Sequence, residues 1–195
     1  MAFYSSLQNK TPQPTDLQNQ DTDLMDIIFP LAIFIRLGIS TAAKVNGKDM
    51  DMYEKFCAVH KSAWFSSDLV EKGMDKRKKK DFLKAIHNAR TVRIFFATDI
   101  ESGGQNEIVY EAVVIDIQTD KTGMLSPNKA LTPVDLLKKK NKIWLHIKEL
   151  KPCTDCTVQD FMIASTENKL ANALVNSQFH FGYIKKISPS VKGIE

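Results

Sequence analysis

The chain has 195 residues, 43% hydrophobic and 26% charged, with 8 Gly and 7 Pro, too apolar for a disordered chain and too poor in Gly and Pro for a fibrous one. At this length roughly two thirds of the unfolded surface can be buried, enough for one proper core. The formal charge of +4 is modest but uneven: Lys72–Arg93 holds nine Lys/Arg against two Asp, so the remainder nets −3 and the basic character is local.

The first twenty residues, rich in Gln, Asn and Pro, read as a disordered polar tail with no signal peptide. One domain is expected over residues 21–195, since no repeat and no Gly/Ser linker divides the chain. Asp23 can cap a short helix that Pro30 ends or kinks, and LAIFIRLG then reads as a buried strand. The apolar run up to Leu37 is interrupted by Asp26, Pro30 and Arg36 and is too short to span a bilayer. Residues 48–60 fit a helix with Met52, Phe56 and Val59 on one face, and SAWFSSDL follows as a loop. KRKKKDFLKAIHNA is a second helix, with Phe82, Leu83 and Ile86 inward and its lysines outward.

Strands come next. TVRIFFAT places Val92, Ile94 and Phe96 on one face, and EIVYEAVVIDIQ returns past the turn SGGQN as an antiparallel partner. KIWLHIKEL alternates Ile143, Leu145 and Ile147 against Trp144, His146 and Lys148. FMIAST is a short strand, ENKLANALVNSQF a helix capped by Ser165 or Thr166, and FGYIKKIS a closing strand. Regular βαβα alternation is absent, so the expected class is α+β, a small curved mixed sheet flanked by helices.

Three cysteines cannot build a disulfide framework, and a reducing, intracellular setting follows. Cys153 and Cys156 form a CxxC without the second ligand pair that zinc requires, so the reading is a tight turn after Pro152; Cys57 near His60 would make only a scattered set. No metal and no cofactor is expected. His60, His87, His146 and His180 stand outside any motif, and there is no GxSxG and no phosphate-binding Gly-rich loop. Asp135, followed later by Glu149 and Lys151, has the spacing of a metal-dependent nuclease, whose carboxylates hold a cation and whose Lys stabilises developing charge. Asp135 also sits where a helix N-terminus takes a capping carboxylate.

The basic run Lys76, Arg77, Lys78, Lys79 and Lys80 is the most informative local feature. Five adjacent cations repel one another, a cost that a polyanion or solvent offsets. Trp64 and Phe65 lie before this run and Arg90 and Arg93 after it, so phosphate-binding groups and stacking surfaces are close in sequence.

From Ala63 to Ile117 the succession AWFSS, KKDFLKAIHNARTVRIFFAT, ESGG and EIVYEAVVIDI resembles the first half of a YTH domain, in the PUA-like group that also holds EVE domains, and KIWLHIKEL resembles a later strand with a central Trp. The resemblance covers a third to a half of the chain. It implies a PUA-like curved sheet or barrel flanked by helices, binding a modified base, N6-methyladenine in the family, in an aromatic cage. Trp64 matches the first cage Trp and Ser66 its small polar neighbour. The family's second cage Trp has no counterpart in TDKTGMLSPNKALTPVDLLKKKN, where Leu125, Met124 or Leu131 would have to line the pocket. The expected function is a non-enzymatic RNA- or DNA-binding module. The alternatives are the nuclease, and an interaction subunit whose residues 26–37 pack on a protein partner.

Overall fold

Period-two runs of branched and aromatic residues form strands because such side chains pack well on a pleated surface. The computed structural model of the chain describes residues 27–37, 48–66, 73–100, 104–176 and 179–188. The expected tail 1–20, the Asp23 cap and Asp26, and part of the SGGQN turn lie outside them. Among the described residues, seven strands and three α-helices follow in order: β1 (Leu31–Leu37), α1 (Lys48–His60), β2 (Ser62–Phe65), α2 (Lys76–His87), β3 (Val92–Thr98), β4 (Ile108–Met124), β5 (Asn141–Pro152), β6 (Phe161–Ile163), α3 (Leu170–Asn176) and β7 (Phe181–Lys186). The strands form one seven-stranded sheet in the order β2-β5-β4-β3-β1-β7-β6. Only β1 and β3 run parallel, with Ile33 opposite Ile94 and Phe34 opposite Phe95. The class is a mixed α+β fold.

Both faces of the sheet are covered. Ile33, Ile35, Ile94, Phe96, Leu145 and Ile147 point to a core completed by Met50, Tyr53 and Cys57 of α1 and by Phe82 and Ala85 of α2. Phe34, Phe95, Ala97 and Ile184 point the other way, to a second core closed by Leu170 and Leu174 of α3. Burial of each large side chain contributes about 1.5–3 kcal/mol. This two-sided burial explains why β1 reads as a continuous apolar run rather than an alternating one. It also corrects one expectation: Ala32 to Leu37 are all buried within the chain's own core, so this part of the run 26–37 is a central strand and not a partner surface, while Ile27, Ile28 and Pro30 before it are exposed.

Other expectations shift for local reasons. SAWF is a strand, not a loop: β2 pairs antiparallel with β5, with Ala63 opposite Ile147 and Trp64 opposite His146. The buried stripe of α1 is Met50, Tyr53 and Cys57, while Val59 is 74% exposed, because Tyr53 is the residue that meets Phe65 of the sheet, 5.1 Å between ring centroids. α3 starts at Leu170 rather than Glu167, because Ala164–Thr166 form a turn and Glu167 takes a positive φ of 59°. Asp135 caps nothing; it lies inside a 3-10 turn, Val134–Leu136, preceded by Pro133. After Pro152, Cys153 and Cys156 are joined by a disulfide that the sequence reading did not assign. Such a link closes a short local loop, which is not a framework. Cys57 is left as a buried thiol, and burial pushes its pKa up to about 11.

Candidate nucleic-acid interface

α2 begins where Asp75 accepts hydrogen bonds from the backbone N–H groups of Arg77 and Lys78, 2.9 and 3.0 Å, the ordinary way an acidic cap satisfies free donors. At 100° per residue the basic run cannot stay on one side of the helix. Lys76, Lys79 and Lys80 join Leu83, Lys84 and His87 to line a shallow trough of about 430 Å³, while Arg77 and Lys78 fall outside it. No carboxylate lines this trough. Lys79 is held by Thr119, its Nζ donating to Oγ1 at 3.0 Å, which fixes the trough against β4. The sequence reading missed Lys84 and His87 as trough residues, although their i+4 and i+7 spacing from Lys80 signals a shared face.

Arg90 and Arg93 follow the helix and lie on the second-core side of the sheet. The chain turns at Ala89, φ 56°, and Thr91 forms a parallel bridge with Ile28. Arg90 donates to the Ile28 carbonyl at 3.2 Å and lies over the Phe29 ring, 5.5 Å to its centroid. Arg93 lies 4.9 Å from the Phe95 centroid and is ion-paired with Glu111. Glu111 also meets Lys151 at 3.2 Å, so that buried carboxylate balances two cations. Both arginines open onto a cavity of about 510 Å³ on the face of the second core. Phe29, Phe161 and Lys186, which line it too, carried no signal in the sequence because they come from three distant segments.

Trp64, Ser66 and Leu125 lie at the other end of the sheet. Trp64 is 5% exposed and stacks on His146, ring centroids 4.8 Å apart and 15° between planes. Ser66 donates to the Ile143 carbonyl at 2.6 Å. Leu125 is 42% exposed, next to Met124, whose carbonyl accepts from the fully buried Trp144 indole. Burial lowers the pKa of His146, with the Asp116 charge opposing, and Ser62 Oγ sits 2.9 Å from its Nε2. A depressed imidazole pKa means that the unfolded chain takes up the proton first. Stability should therefore be complete above the ordinary value of about 6.5 and fall as pH drops from there to the folded pKa. Urea unfolding at about pH 7 and about pH 5 should show the lower midpoint at acid pH, and His146→Phe should reduce the difference.

The nuclease residues are not gathered. Glu149 pairs with Lys148 at 2.8 Å, Lys151 with Glu111, and Asp135 stands exposed on its 3-10 turn. His60 stacks on Phe56, 4.2 Å between centroids. Among the described residues no three His, Cys, Asp or Glu side chains come together to hold a metal ion, and no helix is long and apolar enough to cross a membrane. No protein-family model matches the chain, and no curated protein matches it in sequence.

Proposed function

We propose that this chain is a nucleic-acid-binding module of PUA-like architecture that holds the phosphate backbone along α2. The observation that carries this reading is the trough in which Lys76, Lys79, Lys80 and Lys84 converge with no acidic side chain among them. Such a row neutralises phosphates at successive positions and releases their counterions, which is the main sequence-independent source of nucleic-acid affinity. Arg90 and Arg93 add cations beyond the helix, at the start of the central strand β3. For the PUA-like part, the resemblance over Ala63–Ile117 is supported by register shifts in β4 at Glu111/Val113 and Val114/Asp116 and in β3 at Phe96/Ala97. Bulges of this kind bend and twist a strand, as a curved sheet requires.

The test is the salt dependence of binding. Replacing Lys76, Lys79 and Lys80 together with Gln should weaken binding to every oligonucleotide alike and make the log–log salt slope shallower by about one unit per lost phosphate contact. Arg77→Gln with Lys78→Gln, outside the trough, should change the slope much less. Fluorescence anisotropy across a salt series measures both. Equal slopes for the wild type and the trough variant would end the proposal.

A further inference from the structure

The cavity beside Arg90 and Arg93 has a composition that the backbone-binding role of α2 does not explain. Its volume of about 510 Å³ is that of a small-ligand site. Its apolar wall is built by Phe29, Pro30, Phe161 and Ile184. Arg90, Arg93 and Lys186 line it against one carboxylate, Asp155. Each arginine carries a phenyl ring on one side, Phe29 under Arg90 and Phe95 under Arg93, so each guanidinium is held in place. A guanidinium plane fixed in this way is a stacking platform for a flat ring, and cation–π support strengthens it.

We propose that this cavity accepts one unstacked base of a single-stranded nucleic acid, the base lying against Arg90 and Arg93 and its phosphate near Lys186. The inference rests on the nucleic-acid reading above and adds the strand type and the base subsite. The choice of occupant follows from charge and shape. Arg93 is balanced by Glu111, which leaves Arg90 and Lys186 against Asp155; this net positive lining disfavours an acidic-poor apolar peptide, and an apolar wall of this size disfavours inorganic phosphate alone. Flat rings joined to phosphates satisfy both parts.

The experiment compares two fluorescein-labelled probes of equal length: a single-stranded oligonucleotide with its bases, and an abasic sugar–phosphate oligomer. The trough can hold both, but the cavity only the first. The full chain should bind the base-bearing probe roughly tenfold more tightly, the lower end of the contribution of one stacked base. Arg90→Lys with Arg93→Lys keeps both charges and removes both planes. It should bring the two affinities within about twofold. Ser188→Trp is a second variant, since Ser188 is exposed at the cavity rim and takes part in neither arginine contact; it should block the cavity and remove the same preference. If the wild type binds the two probes equally, the base subsite is wrong and the backbone interface stands. A preference that survives both variants also overturns the subsite, by placing base contacts elsewhere. No binding to either probe overturns the nucleic-acid reading itself.

Discussion

Asp99→Ala should lower the melting temperature by roughly 6–20 °C, corresponding to a loss of about 3–5 kcal/mol in a chain of this size. Arg36 lies in β1 at the centre of the sheet, 6% exposed, and Asp99 immediately follows β3, 4% exposed. The guanidinium donates to Asp99 at 2.9 Å and to the Asn106 side chain at 2.7 Å. The same aspartate holds the strand ends together through its backbone, its N–H donating to the Leu37 carbonyl and its own carbonyl accepting from Gly104. Removing the carboxylate leaves a buried cation without that compensating charge, which costs far more than the intact pair contributes. The pair as a whole is worth little against an apolar replacement of similar volume. Arg36→Met combined with Asp99→Leu should therefore recover most of the lost stability, as differential scanning calorimetry would register. An Asp99→Ala protein that melts with the wild type would mean that the charge of Arg36 is compensated without Asp99.

Trp64→Ala should cost a comparable 3–5 kcal/mol, the usual loss when a buried aromatic is cut back to a methyl group. The ring is a cross-strand partner of His146 and closes one edge of the sheet, where β2 has only β5 beside it. Trp64→Phe keeps an aromatic face against the imidazole and should restore more than half of the loss. The family resemblance implies another role, a wall of a base cage. In that case the melting temperature stays near the wild-type value and only the affinity for a methylated oligonucleotide falls, by roughly tenfold to a hundredfold. Calorimetry and anisotropy on the same two variants separate these outcomes.

The contrast between Trp64 and the α2 lysines shows what a linear reading can and cannot resolve. Trp64 stands between Ala63 and Phe65 and is followed by two serines, whose polarity suits a loop by composition. It becomes a strand residue only because β5 offers hydrogen-bonding groups along its whole length, a long-range partner that local pattern does not reveal. The lysines need no such partner. Their excess charge repels locally and the helix period alone divides them, so Lys76, Lys79 and Lys80 can be told from Arg77 and Lys78 by counting residues.

What the sequence determined by itself is therefore the set of elements whose cause is local. β1, β3, β4, β5 and β7 follow from apolar and β-branched runs, α2 from its amphipathic spacing, and the basic stripe from composition. What only the tertiary structure decided is every juxtaposition across distant segments. The order of strands puts β1 beside β3 and so spends the run Ala32–Leu37 on the core rather than on a partner. The same order buries Arg36 against Asp99, 63 residues away, and brings Phe29, Arg93, Phe161 and Lys186 to one cavity. These contacts depend on how strands pair and on which face of the sheet each side chain takes. Shifting a strand by one residue would exchange its faces, so register, fixed by the packing of the whole sheet, settled them.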